Sequence, residues 1–332
     1  MEEFKRAKLE IVVPTYNRPA CVADMMEKYA EYLSRGLDFS VSVWDSSTDD
    51  ETEKIMRGYI SERVRYIRKP SDTDVDEKTV MCLLEVVGDY GCLCGDGYTM
   101  VVDNVLAEIS KTENSAIYAL YDKKLSSGKK WILKQTDLLE YSDKNKFMAD
   151  NYWHITFYGS SVCSRDLLQR IKIDEILSEF SHCNLIYPST LATCISEEDY
   201  FVASSGDFLV TNKGKNAPGW VNNKSAMRIW TKSLCETVDK LRNKLSETAC
   251  NDIISTLGKR SGMLTSKGLM IFRETDNFNL KLLKKYKPYF KRVKACSMFT
   301  AYLIALMPKW LCKSIHKTYR KLKGLDKKEK DA

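Results

Sequence analysis

Two acids in this chain stand where chemistry is feasible, Asp96 and Asp45, each beside a turn. Asp96 lies in Gly95-Asp96-Gly97-Tyr98, delivered by the short apolar run Leu93-Cys94. A carboxylate so placed can hold a divalent cation that bridges two phosphates, because Mg2+ or Mn2+ takes carboxylate and phosphate oxygens while keeping waters. The flanking glycines let another group approach the backbone, although Gly-Asp-Gly is also a common turn without a ligand. Asp45 opens Asp45-Ser46-Ser47-Thr48 behind a β-branched and aromatic run. At a strand end it can hydrogen-bond a ribose or a base edge, or simply form the turn before a helix. Neither G-x-G-x-x-G nor G-x-x-x-x-G-K-[ST] occurs, which excludes a dinucleotide fingerprint and a P-loop.

Elements that could bring these acids together are legible from apolar periodicity. Residues 10–14 read as a buried strand closed by Pro14, followed by a polar loop to Pro19 and a helix over 20–34. A second strand spans 39–44. Thr48 and Glu51 have capping-box spacing, which predicts a helix to about residue 60. A third strand covers 65–69, Lys78 opens a helix through 87, a strand runs into Asp96, and Thr99 begins a helix through 109. Alternation of this kind is an α/β sheet of parallel character, doubly wound, with loops 14–19, 45–48 and 95–98 converging at strand carboxyl ends. Beyond it, strands are expected at 115–121, 130–134, 153–162, 200–203 and 208–210, and helices at 165–179 and 183–194. From Lys224 the pattern is helical, with a glycine-rich break at 258–268. The expected domains are 1–222, split near residue 110 into nucleotide and acceptor halves, a helical region over 223–324, and a charged tail over 325–332.

With 332 residues and 44% apolar composition the chain is a folded protein able to bury a sizeable core. Its 11 cysteines form no C-x-x-C pair and only three histidines are present, so a zinc site is not expected. The odd cysteine count and the charged start running into a strand predict a cytoplasmic chain. The formal net charge is +7, but 13 Lys or Arg and no acid fall between Lys281 and Gly324, leaving 39 basic and 45 acidic residues elsewhere. An acidic body therefore carries a basic end. Within that end the uncharged run over 295–308 has 14 residues, short of the roughly 20 a spanning helix needs. Basic flanks with Phe299, Tyr302 and Trp310 suit a helix lying in an anionic membrane surface; a buried helix with a solvated tail is the plain alternative. Few stacking aromatics interleave with the charges, which disfavours nucleic acid as a partner.

Read together, IVVPTYNRP, VWDSSTDDET, a Lys-led helix and DYGCLCGDGYTM, in this order and spacing, resemble the family-2 glycosyltransferases of the GT-A fold, nearest to bacterial enzymes of capsular and other surface polysaccharides. The match is good over about residues 8–110. It implies a Rossmann-like nucleotide-binding sheet, here with a helical carboxyl-terminal extension, and a nucleotide-sugar donor, a UDP-sugar. Pro14, Thr15, Tyr16 and Arg18 match the first-strand motif around the donor; Asp45 and Ser46 match the acid that contacts base or ribose; Lys78 and Gly95 fall near the nucleotide. Asp96 matches the D-x-D type metal motif for Mn2+ or Mg2+, but Gly97 and Tyr98 stand where relatives carry further acids.

Transfer from such a donor requires stabilising the leaving diphosphate and deprotonating an acceptor hydroxyl. The resemblance implies a base in an E-D pair about a hundred residues beyond the metal motif, which selects Asp199 with Glu198 and an inverting reaction. His182 is the alternative, since histidine titrates near neutrality. No Q-x-x-R-W motif is present, which disfavours a processive spanning synthase. The implied acceptor is a lipid-linked oligosaccharide, met at the inner face of the cell membrane. A sugar nucleotidyltransferase and a non-catalytic partner of an active transferase are the competing readings.

Overall fold

The computed structural model describes residues 4–112, 114–123, 138–212 and 224–322. The chain divides into two compact units, residues 1–216 with 243–249, and residues 217–242 with 250–332. The expected strand at 130–134 and the tail at 325–332 lie outside the described residues.

The first unit is an α/β sheet. Its strands are β1 (Leu9–Thr15), β2 (Phe39–Asp45), β3 (Val64–Arg68), β4 (Tyr90–Leu93), β5 (Tyr98–Met100), β6 (Ile117–Asp122), β7 (Leu138–Tyr141), β8 (Ser161–Ser164), β9 (Phe201–Gly206) and β10 (Leu209–Thr211). Its helices are α1 (Pro19–Ser34), α2 (Glu51–Met56), α3 (Val75–Leu84), α4 (Val102–Lys111), α5 (Lys144–Ile155), α6 (Arg165–Leu168), α7 (Ile173–Phe180) and α8 (Ile186–Cys194). Eight strands form one sheet in the order β3-β2-β1-β4-β8-β6-β9-β7, while β5 and β10 pair separately. The β3-β2-β1-β4 half is wholly parallel. β8 then runs antiparallel to both β4 and β6, and β7 antiparallel to β9, so the parallel character does not extend across the sheet. The central strands are buried on both faces, but only one face of β1 and β2 is wholly apolar; Glu10, Ser40 and Ser42 lie buried on the other. Leu9, Ile11 and Val13 of β1 share one core cluster with Val22, Met25, Met26 and Tyr29 of α1.

Four local expectations are corrected. Residues 153–155 belong to α5, and only 161–164 are strand. Asp143 caps α5 by accepting from the amides of Asn145 (2.8 Å) and Lys146 (3.2 Å), and Phe147, Met148, Asn151, Tyr152 and Ile155 bury one helical face. Gly159, at φ +94°, then takes the chain into β8. Thr99 lies in β5 and the helix begins at Val102. α3 starts at Val75, capped by Asp74, so Lys78 sits one turn inside. Thr48 caps nothing; its amide and hydroxyl bond Asn17 Oδ1, and α2 runs only from Glu51 to Met56.

The second unit is helical. α9 (Ala226–Arg228) passes through a π turn at Ile229–Ser233 into α10 (Leu234–Lys240), followed by α11 (Glu247–Ser261), α12 (Ser266–Glu274), α13 (Leu280–Val293), α14 (Met298–Leu306) and α15 (Lys309–Leu322). α14 is capped by Ser297 and buries Ala301, Ile304 and Ala305. Its opposite face is open, with Phe299 74%, Leu303 50% and Leu306 63% exposed, and Trp310 follows at 68%. Among the described residues no helix is long and apolar enough to cross a membrane.

Candidate active site

The carboxyl ends of β1 and β2 are level, Thr15 pairing with Asp45, whereas β4 ends at Leu93 opposite Val12 and the turn after it carries Asp96 up to Thr15. Loops 14–19, 45–48 and 95–98 therefore open on one edge of the sheet. There Thr15, Arg18, Ser46, Lys78 and Asp96 form a connected polar set, and Asp45, next to Ser46, has its own partners in Ser47, Tyr66 and Arg68.

Asp96 is buried, and both of its carboxylate oxygens are occupied. Thr15 Oγ1 donates to Oδ2 at 2.8 Å, and Arg18 Nη1 forms an ion pair with Oδ1. Burial pushes this carboxyl above its ordinary value, opposed by Thr15, Arg18 and Lys78. Asn212, just past β10, fixes the turn: its Nδ2 donates to the Asp96 carbonyl at 2.9 Å and its amide to the Gly97 carbonyl at 3.0 Å. At Gly95 a Cβ would meet Tyr158 Cβ at 3.8 Å, an ordinary contact, so its surroundings do not demand glycine.

Asp45 is fully buried and accepts four hydrogen bonds. Oδ1 takes the Ser47 amide (2.7 Å) and hydroxyl (2.5 Å); Oδ2 takes Tyr66 Oη and Arg68 Nη1, both at 2.7 Å. It ends β2 rather than capping α2. The Tyr66 hydroxyl is pushed up to about 12, first by burial and then by the Asp45 charge against the pull of Arg68. Arg68 and Tyr66 escape a reading of single loops, yet parallel pairing of β2 with β3 places Arg68 opposite Asp45.

Lys78 is buried with its ammonium between the Thr15 carbonyl (3.0 Å) and Ser46 Oγ (2.6 Å). Burial lowers its affinity for the proton, with Cys82, Asp45 and Asp96 pulling the other way. Pro14 is half-buried at the end of β1, and Tyr16 is 48% exposed on the loop.

The two proposed bases part company. β9 is parallel to β6, which points the same way as β4 across antiparallel β8. Asp199 and Glu198 precede β9 and so lie at the amino edge of the sheet, away from Asp96 by a strand length, on the order of 15 Å. Arg170 clamps Asp199 with Nη1 to Oδ2 at 2.6 Å and Nη2 to Oδ1 at 3.0 Å, and the Ser196 amide adds a bond at 2.7 Å. Glu198 is exposed. The expected approach of this pair to Asp96 is thus not made, because the direction of β9 carries it away.

His182 lies instead at the amino end of α3, one turn from Lys78. Its amide donates to Asp76 Oδ2 at 2.6 Å, and Nδ1 is 3.7 Å from Asp74 Oδ2. The residue is left-handed at φ 60° and its side chain is 82% exposed. Among the described residues, Asp74, Asp76 and His182 are the acid and histidine trio whose ligand atoms all lie within 4.8 Å of one another. Asp74 Oδ1 is already engaged by the Asp76 and Glu77 amides as the helix cap.

Comparison with known proteins bears on this geometry. Residues 10–172 match the family model described as glycosyl transferase family 2. No curated protein matches the chain. Its fold is similar to the crystal structure of S. aureus TarS 1–349, with TM-score 0.56 and 12% identity over 90% of each chain. The same TarS segment in complex with UDP-GlcNAc gives 0.52 at 12% identity, again over 90% of each. The match spans 55% of the longer S. aureus TarS chain. The mannosyltransferase PcManGT from Pyrobaculum calidifontis, in complex with GDP-Man and Mn2+, gives 0.48 at 13% identity over 91% of this chain and 86% of that one. At such identities the likeness is one of fold.

Proposed function

The chain belongs to glycosyl transferase family 2, and from that premise we propose that it transfers a sugar from a UDP-sugar to a hydroxyl of a lipid-linked oligosaccharide in surface-polysaccharide synthesis. The observation that carries this reading is the polar set at the ends of β1, β2 and β4, where Asp45, Lys78 and Asp96 meet in buried surroundings. UDP is chosen because TarS, whose fold is similar, has been crystallised with UDP and with UDP-GlcNAc.

Asp45, held by Ser47, Tyr66 and Arg68, orients the base or ribose, while Lys78 and Arg18 face the diphosphate. The donor set fits a divalent cation, Mn2+ or Mg2+: Asp96 offers one buried carboxylate, which such an ion supplements with phosphate oxygens and waters. Bound there, the ion would neutralise charge on the leaving diphosphate. In the transfer the acceptor oxygen bonds the anomeric carbon, the carbon–oxygen bond to phosphate breaks, and its electron pair leaves with the diphosphate. Attack from the face opposite the leaving group inverts that centre. The hydroxyl proton passes to a base, and His182 beside Asp74 is the better candidate, since Asp199 lies at the other edge of the sheet and is held by Arg170.

The carboxyl-terminal helices would hold the enzyme against an anionic membrane at the cytoplasmic face, where lipid-linked acceptors reside. The open face of Phe299, Leu303 and Leu306, next to Trp310 and a run of lysines, supports this.

The test is UDP release from a panel of UDP-sugars with Mn2+ and lipid-linked saccharide. Release that Asp96→Ala abolishes is expected. Full transfer by Asp96→Ala, together with unchanged donor affinity in Asp45→Ala, overturns the reading.

A further inference from the structure

Asp96 meets two partners of unequal permanence. Thr15 is buried at the end of β1, with its carbonyl bound by Lys78. Arg18 reaches Asp96 from the residue before α1, its side chain is 30% exposed, and its other side-chain contact is Cys21 Sγ at 3.2 Å, a weak acceptor. Thr15 is fixed in place, whereas Arg18 is free to turn toward solvent and toward whatever enters the loops.

A small divalent cation needs a carboxylate oxygen at about 2.1 Å. Thr15 already holds Oδ2, and the Arg18 guanidinium on Oδ1 both fills the approach and repels a second positive charge. Gly97 and Tyr98 supply no other carboxylate on the turn. A cation therefore cannot settle at Asp96 while Arg18 remains.

Building on the reading of Asp96 as the donor-site acid, we propose that Arg18 and the divalent cation compete for this single carboxylate, and that the donor's nucleoside diphosphate decides the competition. Its phosphates accept Arg18 when it leaves Oδ1, replacing one charge-assisted contact with another. They also contribute the oxygens that the lone carboxylate cannot. Cation loading thus follows the nucleotide, and Arg18 keeps Asp96 paired until it arrives. In a motif with several acids the cation would find a seat without displacing a side chain.

Mn2+ binding, read from the free-ion EPR signal with UDP as the nucleotide, tests this without turnover. Wild type should bind Mn2+ at least about tenfold more weakly without UDP than with it. Arg18→Gln should gain roughly tenfold in Mn2+ affinity without UDP, and Arg18→Lys should gain less because it keeps the charge. Asp96→Asn should abolish these differences, which assigns them to this carboxylate rather than to Asp74 and Asp76. Equal Mn2+ affinity of wild type and Arg18→Gln without UDP, in proteins with matching melting curves, overturns the competition. If Arg18→Gln does not fold, wild type that binds Mn2+ equally with and without UDP overturns it. Absence of Mn2+ binding in every protein even with UDP would instead remove the Asp96 cation reading, and this inference with it.

Discussion

Replacing Asp199 by Asn separates a structural clamp from a catalytic base. The side chain of Asp199 is 8% exposed and receives both arms of Arg170, at 2.6 and 3.0 Å, plus the Ser196 amide at 2.7 Å. Hydrogen bonds to a charged group are worth about 1.5–3 kcal/mol in folded proteins. Arg170 is 40% exposed, so solvent screening reduces the expected loss to roughly 1–2 kcal/mol. At roughly 2–4 °C per kcal/mol for a unit of this size, melting should fall by about 2–8 °C. Burial raises the Asp199 carboxyl, but the Arg170 fork and the Ser196 amide outweigh it and hold the group below its ordinary value. The clamp's stabilisation is therefore complete above the unfolded carboxyl value, near ~4, and is lost as pH falls through the lowered folded value. The gap in melting temperature between wild type and Asp199→Asn should accordingly close in acid. Turnover at neutral pH should stay within about twofold, whereas removing a general base costs about 10²–10⁴-fold. Scanning calorimetry across pH and a UDP-release assay on the same preparations measure both. A hundredfold loss of turnover with unchanged melting would refute the placement of Asp199 as a clamp.

Three further outcomes follow from the same geometry. His182→Gln should lower turnover by about 10²-fold while leaving UDP affinity by calorimetry unchanged, and normal turnover would exclude it as the base. Lys78→Met keeps the packing volume and removes a buried ammonium, so melting should hold while UDP affinity falls about 10- to 100-fold; equal UDP affinity would detach Lys78 from the diphosphate. Serine at Phe299, Leu303 and Leu306 together should release the protein from phosphatidylserine liposomes in co-sedimentation, because each exposed side chain withdraws apolar area from the interface; retention would leave the open face of α14 without a membrane role.

What the sequence makes legible is what local patterns determine. β1, β2 and β4 are short, mainly apolar segments leading into polar turns, and that pattern places Thr15 and Asp45 at strand ends and Asp96 on the turn just past one. Strand direction is another matter. Which edge of the sheet Asp199 occupies depends on β8 crossing antiparallel between β4 and β6, and nothing in the period of residues 201–206 records which way they run. Residues 153–162 mislead for a related reason: their aromatic alternation fits a strand, but the Asp143 cap ten residues earlier has already committed the chain to α5. The role of Arg68 is not legible in the sequence because its partner, Asp45, belongs to a different strand and the contact exists only in register.

The charges of the pocket argue for what it binds. Asp45 has Arg68 and Asp96 has Arg18, so both acids are paired one to one. Lys78 is different: among the described residues its ammonium hydrogen-bonds to neutral oxygens, the Thr15 carbonyl and Ser46 Oγ, although it is as deeply buried as the acids. Burying an ammonium without a carboxylate of its own is unfavourable, and the lowered proton affinity of Lys78 expresses that cost. Such an arrangement is stable to selection when the missing negative charge arrives with a ligand. A diphosphate supplies it, and it also gives Arg18 an anion to turn to. The unpaired lysine and the displaceable arginine thus answer to one anionic group, and loss of the lysine's charge should be felt in nucleotide binding before it is felt in the fold.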